Sequence, residues 1–244
     1  MSDNAYEAGG YAELAGYYDR LYWWKDYRAE SERVRDVLRR EGVADGGRVL
    51  DAACGTGAHL VHLREWFDVA GFDGSLSMLA VAMDKLPGVR LWDAELTEFS
   101  VREPFDAVVC LFSSIGYLLD EASLRASAAR FAAAVRPGGV VLVEPWFTPE
   151  AWHDGRPSVQ TYDSEDLKLV RATVAQTHRG VSVMDMHWLV VERGQPVRHY
   201  VDHHELWLCP HEVLVSAFQD AGFDARFEPD GLMDGRGLLI GRRT

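Results

Sequence analysis

Between Val49 and Leu60 the chain reads Val-Leu-Asp-Ala-Ala-Cys-Gly-Thr-Gly-Ala-His-Leu. An apolar run rises into Asp51, glycines follow at Gly55 and Gly57, and a mixed apolar and polar segment of helical character begins at once. This is the signature of a buried parallel strand that turns sharply into a helix, and it commits the chain to an α/β architecture. Glycine reaches positive φ and has no Cβ, so the backbone can turn tightly there and let a ligand approach closely. A dinucleotide-binding turn carries a third glycine three positions after the second. Here that position is Leu60. An acid, Asp51, stands at the strand end before the glycines, which suits a ligand that presents an amine and disfavours NAD.

The rest of the chain fits a doubly wound α/β sheet, since strands and helices alternate after Gly46-Gly47. Strand one covers Arg48–Ala53, and a helix is expected over Ala58–Trp66. Strand two, Asp68–Phe72, ends in Asp73-Gly74. A carboxylate at a strand end about twenty residues past a glycine turn can accept both ribose hydroxyls of an adenosine. The competing task, capping the helix Ser75–Lys85, falls to Ser75. Met78 in that helix has two readings, packing on adenine or filling core, and core is the default. Strand three is Val89–Trp92. Phe105–Phe112 is a continuous apolar run suited to a central strand four, with small residues Ser113, Ser114 and Gly116 beyond its C-terminal end. A helix over Glu121–Val135 and the turn Pro137-Gly138-Gly139 lead to strand five, Val140–Val143. Glu144 emerges there, placed to orient a substrate ammonium or hydroxyl, with Trp146 as a wall or a buried aromatic.

Residues 151–208 break the alternation. Leu167–Thr177, Val181–Glu192 and His199–Leu208 alternate in polarity and are separated by turn residues, which predicts an antiparallel meander inserted after strand five. Asp202-His203-His204-Glu205 tempts a metal reading, but neighbours on a strand point to opposite faces, so no metal is expected there. A helix over Pro210–Ala221 and two strands, Asp224–Glu228 and Gly237–Gly241, complete a seven-stranded, mostly parallel sheet. The organisation expected is an N-terminal helical lid (1–45), a ligand-binding core (46–150), the β insertion (151–208) and the C-terminal completion of the core (209–244). Residues before about Tyr11 read as disordered.

Asp51-Ala-Ala-Cys-Gly-Thr-Gly57 resembles the first motif of class I S-adenosylmethionine (SAM) dependent methyltransferases, whose fold is Rossmann-like. Phe112-Ser-Ser-Ile-Gly-Tyr117, Val143-Glu-Pro-Trp146 and Gly235-Arg-Gly-Leu238 are similar to the N,N-dimethyltransferases that act on nucleotide-linked (dTDP) amino sugars in antibiotic biosynthesis. The resemblance implies SAM as cofactor, a dTDP-linked amino sugar as partner, and a bacterial source. It implies that Asp51, Ala52, Cys54, Gly55, Gly57, Asp73 and Gly74 form the cofactor cradle, with Met78 beside it. Glu95 and Leu96 match the acid and apolar residue that meet adenine, although the family more often has Asp at that acid and Asp93 competes for the task. Phe112 and Ser113 would meet the methionine end of SAM, and Ser114 the substrate, although both serines also read as caps of the next turn. Tyr17 from the lid would reach the cofactor, and Tyr22 the substrate. Tyr117 would stand beside the sugar amine as a positioning group, because a phenol with an ordinary pKa of about 10 is a poor base near neutrality. Arg236 would face the pyrophosphate, where without the resemblance it reads as a solvated turn charge. The insertion would lie over the substrate and, as often in the family, in a dimer interface.

The formal net charge is -13 with no concentrated basic stretch, which excludes nucleic acid as a partner. The three cysteines, Cys54, Cys110 and Cys209, are far apart and in apolar surroundings, so no disulfide framework is expected and a reducing cytoplasm fits. No run approaches the roughly eighteen apolar residues of a membrane span.

Overall fold

The computed structural model describes residues 11–244; the expected disorder before Tyr11 lies outside the described residues. Two helices lead, α1 (Tyr11–Leu21) and α2 (Tyr27–Arg40). The second starts where the Asp26 carboxylate accepts the Ala29 N–H at 2.9 Å, and it buries Val34, Val37 and Leu38 on one face. Strands β1 (Arg48–Ala52), β2 (Asp68–Asp73), β3 (Arg90–Asp93), β4 (Phe105–Cys110) and β5 (Val135–Val143) then alternate with α3 (Leu60–Leu63), α4 (Leu76–Lys85) and α5 (Glu121–Ala134). The antiparallel insertion is β6 (Pro157–Asp163), β7 (Leu167–His178), β8 (Val181–Glu192) and β9 (Arg198–Trp207), followed by α6 (His211–Asp220), β10 (Phe223–Glu228) and β11 (Leu238–Arg243).

The main sheet has seven strands in the order β10-β11-β5-β4-β1-β2-β3, with β11 antiparallel to both neighbours and the others parallel. Side chains on its strands alternate between two cores. Leu50, Val108, Cys110, Val141 and Val143 face α5 and α6, while Val49, Ala107, Val109, Val140 and Leu142 face α2, α3 and the Ala82–Leu86 end of α4. Burial on both faces is why these strands read as unbroken apolar runs. The connection order reverses between β1 and β4, so the crevice for a ligand opens beyond the C-terminal ends of those two strands. Asp51 stands at that edge, in register with Gly71 of β2 and Val109 of β4.

Three local expectations change. β5 begins at Val135 rather than Val140, so Pro137-Gly138-Gly139 lie within an irregularly paired strand instead of a turn ahead of it. The segment expected as a helix over Ala58–Trp66 is α-helical only at Leu60–Leu63, and beyond it the chain tightens to i→i+3 bonds, Glu65 N–H to His62 O and Trp66 N–H to Leu63 O, both at 3.0 Å. The insertion also has a fourth strand, β6, paired with β7 from Pro157↔Val174 to Asp163↔Lys168. It is an edge strand with mostly exposed side chains, which is why it carries a proline and no apolar run. The insertion sheet rests on α1 through Leu14 and Leu21, which pack on Leu169, Trp188, Val190 and Tyr200. Its other seat is the loop after β5, where Trp146 and Trp152 meet Ala175, Met184 and Leu206.

Candidate active site

Beyond the β1 and β4 ends, a cavity of about 740 Å³ runs from the glycine turn to the insertion sheet. Asp51, Cys54, Gly55, Asp73, Gly74, Met78, Glu95, Leu96, Phe112, Ser113, Ser114, Tyr117, Tyr22, Trp146 and Arg236 all line it. Residues brought together from positions 22 to 236 thus share one concave space.

At the glycine turn, Ala53, Gly55 and Gly57 all have positive φ. The Asp73 carboxylate holds the turn, accepting the Gly55 N–H at 2.7 Å with one oxygen and the Ser75 N–H at 2.8 Å with the other. Ser75 caps α4, its hydroxyl accepting the Met78 N–H at 3.4 Å. Each Asp73 oxygen keeps a lone pair for a ligand hydroxyl. Asp51 is 2% exposed, and burial together with the neighbouring Asp73 pushes its pKa up to about 8. Burial likewise raises Asp73. Neither acid, nor Glu95, has an ion-pair partner among the described residues. Glu95 rather than Asp93 reaches the cavity; a Cβ on Gly74 would lie 2.7 Å from Glu95 Oε1, so glycine is what admits that carboxylate.

At the end of β4, Phe112 and Ser113 both take left-handed backbone conformations, with φ of 52° and 68°. Such non-glycine positions cost about 1–3 kcal/mol each. They are held by the Glu144 carboxylate, which accepts the Phe112 N–H at 2.7 Å, and by the Ser113 hydroxyl, which donates to Pro145 O at 2.8 Å. Glu144, expected to orient the substrate, is 0% exposed and sits behind Phe112 instead of lining the cavity. Burial raises its pKa, opposed by the positive charges of Arg236 and Lys25. Its task is to fix the strained turn.

Arg236 is buried rather than solvated. A Cβ on Gly231 would fall 2.4 Å from Gly237 O, and Gly235 and Gly237 have φ of 78° and 70°. Only glycines let this loop fold so tightly on itself, and the fold turns Arg236 inward. Its guanidinium lies over Trp146, Phe147 and Phe112 at 4.7, 5.2 and 5.3 Å from the ring centres. Burial lowers its pKa, opposed by Glu144, yet a guanidinium stays protonated. Its Nε and Nη1 have no hydrogen-bond partner among the described residues.

Three further residues lie elsewhere than expected. The Tyr17 hydroxyl accepts from Arg198 Nη2 at 2.8 Å and does not line the cavity; its neighbour Tyr18 does, because successive helix residues point about 100° apart. Ala52 is buried in the sheet core. Gly57 serves packing, since a Cβ there would meet Leu86 Cδ1 at 2.6 Å. The insertion supplies lining residues that carry no motif: Arg171, Met184, Trp188, Asp202 and His204. Arg171 donates to the Tyr22 hydroxyl at 2.8 Å and also to Gln160. Their only trace in the sequence is the period-two alternation that puts them on one face of the insertion sheet.

Residues 49–139 match the family model described as a methyltransferase domain. The "dTDP-3-amino-3,4,6-trideoxy-alpha-D-glucopyranose N,N-dimethyltransferase" of Streptomyces venezuelae is 36% identical over 93% of this chain and 96% of its own length. The chain belongs to the SAM-dependent methyltransferases, in the amino-sugar N,N-dimethyltransferase family. A second relative of this methyltransferase, the "dTDP-3-amino-3,6-dideoxy-alpha-D-glucopyranose N,N-dimethyltransferase" of Streptomyces fradiae, is 35% identical over 99% of the chain and 96% of its own length. The crystal structure of Streptomyces venezuelae DesVI superposes with a TM-score of 0.90 at 35% identity, covering 98% of this chain and all of that one. SAM-bound CalS10, titled an amino pentose methyltransferase involved in calicheamicin biosynthesis, superposes with a TM-score of 0.83 at 33% identity over the whole of both chains.

The methyltransferase uses SAM as cofactor, and its residues fit that group. Burial and Asp73 raise the pKa of Asp51, burial and then Glu95 and Asp93 raise that of the half-buried Asp73, and a ligand ammonium and hydroxyls would satisfy the two carboxylates. Glu95, Leu96 and Met78 line the same cavity and would offer an acid and an apolar wall to the adenine of that group. None of the helices among the described residues is long and apolar enough to cross a membrane.

Proposed function

We propose that this methyltransferase N,N-dimethylates the amine of a dTDP-linked deoxy amino sugar. The observation that supports it most is that one cavity is lined both by the carboxylate cradle and by the buried, incompletely bonded Arg236. The cradle suits SAM, and Arg236 suits a diphosphate, which a guanidinium grips with two parallel N–H bonds. SAM supplies a methyl group on an activated sulfonium leaving group. The protein's own residues then bind and orient the amine and exclude water, a contribution of several kcal/mol. Phe112, Ser113 and Ser114 floor the cavity, Trp146 and Tyr22 wall it, and Tyr117 stands at the insertion side. Glu144 and the pair Glu30–Lys25 lie beneath this floor, where Lys25 Nζ is 4.3 Å from the Phe112 ring centre. The Asp202–His204 strand and Arg171 close the substrate half from above.

The test is an incubation with isotopically labelled SAM and a panel of dTDP-linked 3-amino and 4-amino deoxy sugars, the products resolved by mass spectrometry. Sequential appearance of mono- and dimethylamino products is expected with at least one sugar. Transfer to oxygen or carbon, or to none of the panel, would refute the reading.

A further inference from the structure

Tyr117, His204 and Asp202 form a chain of hydrogen bonds that the roles assigned above leave unused. Tyr117 closes the 3-10 turn Ser114–Tyr117 at the tip of β4. Asp202 and His204 are two residues apart on β9 and so share its cavity face, while His203 between them points outward to Asp185 and Glu205. The phenol oxygen lies 2.7 Å from His204 Nδ1, and His204 Nε2 lies 2.8 Å from Asp202 Oδ2. A carboxylate only accepts, so Nε2 donates to Asp202, and in the neutral imidazole the Nδ1 lone pair then accepts the Tyr117 O–H. His204 and Asp202 side chains are 6% and 7% exposed, whereas Tyr117 is 41% exposed. The chain therefore leads from an open cavity wall to a buried acid.

The fold makes room for this contact. A Cβ on Gly116 would lie 3.0 Å from Trp146 Cβ and 3.1 Å from Leu206 Cδ2. Glycine there lets the turn seat against β9 closely enough for the phenol to reach the imidazole.

We infer that Tyr117, His204 and Asp202 form a proton relay that strips the acceptor amine before each methyl transfer. This rests on the amine-methylating function proposed above. An aliphatic ammonium has a pKa of about 10, so at pH 7 only about one molecule in a thousand offers a free lone pair. The first transfer leaves a secondary ammonium, which must lose a proton again before the second. In the relay step one N–H bond of the ammonium breaks, and the electron pair stays on nitrogen as the nucleophile. The proton forms a new O–H on Tyr117 as its own O–H breaks and an N–H forms at His204 Nδ1. The imidazolium so made faces the Asp202 carboxylate, which compensates its charge. The proton then returns through Tyr117 to water at the cavity mouth, which resets the chain. The other ionisable groups lining the cavity are Tyr18, Tyr22, Tyr27, Cys54 and His59, His153 and Arg156 ahead of β6, Arg171 on β7, Arg236, and the acids Asp51, Asp73 and Glu95. Asp202 is the acid hydrogen-bonded to His204. Tyr117 is the catalytic residue of the three, and His204 and Asp202 act through it.

The experiment compares full-length wild type with Tyr117→Phe, His204→Gln and Asp202→Asn. It measures kcat against pH from about 6 to 9, the ratio of mono- to dimethylated product, and the 15N histidine NMR spectrum of the protein alone. Tyr117→Phe and His204→Gln should lower kcat roughly 100-fold at pH 7. That gap should narrow about tenfold per pH unit as solution deprotonates the amine, with monomethyl product accumulating. His204 should show the neutral tautomer protonated at Nε2, and Asp202→Asn should disturb it. Tyr117→Phe changes only a cavity-wall hydroxyl, so it stays informative if the buried variants fold poorly. The relay is overturned by wild-type kcat in Tyr117→Phe at all pH values, or by a pH-independent loss with an unchanged product ratio. His204 remaining an imidazolium across the whole range would overturn it too. A wild type that methylates no amino sugar refutes the proposed function instead.

Discussion

Replacing Asp51 with Asn probes the cofactor cradle through its proton. In the ligand-free protein the carboxyl has a pKa of about 8, from burial first and then from Asp73, so at pH 7 it is protonated about nine-tenths of the time. If a ligand ammonium ionises it, SAM binding at pH 7 should release about 0.9 proton from this site. Titration calorimetry in two buffers of different ionisation enthalpy reads that number directly. Asp51→Asn should abolish this release and weaken SAM binding roughly 10- to 100-fold, the worth of a charge-assisted hydrogen bond. A carboxyl whose folded pKa is raised from 3.8 to about 8 leaves stability untouched below pH 4 and lowers it progressively as pH rises to about 8. The full interval corresponds to roughly 6 kcal/mol as an upper bound, at 1.36 kcal/mol per pKa unit. Ligand-free Asp51→Asn should therefore be more stable than wild type at pH 8, by a few kcal/mol, and equal to it near pH 4. A wild type that releases no proton, or a variant that releases as much, would refute the reasoning.

Arg236→Lys keeps the charge but not the planar fork, and should raise KM for the nucleotide sugar roughly tenfold while SAM affinity by calorimetry holds; an unchanged KM removes Arg236 from diphosphate binding. Tyr17→Phe should leave SAM affinity unaltered, because its hydroxyl serves Arg198, and should cost about 1 kcal/mol in chemical denaturation. The Asp19 carboxylate on α1 accepts from Thr56 Oγ1 in the glycine turn and from Lys85 Nζ on α4, both at 2.6 Å. Asp19→Ala should speed amide exchange over residues 11–21 and the dissociation of SAM several-fold, with the sheet's exchange unaffected.

What could be read in the chain and what could not divide along one physical line. The glycine turn, the acids at strand ends and the apolar strands are local: each rests on neighbours in sequence, and the parallel strands announce themselves because both faces are buried. Asp73, Glu95 and the β4 end consequently line one cavity. Edge strand β6 left no such mark, since an exposed strand has no apolar signature. Glu144 was legible as a strand-end acid, but its direction was decided by the backbone strain at Phe112, which no residue pattern displays. Arg236 looked like a turn charge because the burial of a loop between Gly231 and Gly237 is a tertiary fact. The relay pair shows the same division most sharply. Alternation on β9 correctly separates His203 from His204 and so argues against a metal site, and the same alternation puts Asp202 and His204 on one face. Their partner Tyr117 is 87 positions from His204. What links them is Gly116, whose missing Cβ lets the turn after β4 seat against Leu206 on β9 and Trp146. A Gly116→Ala substitution would thus be felt first at that contact, lengthening the Tyr117–His204 hydrogen bond, before it is felt in either sheet.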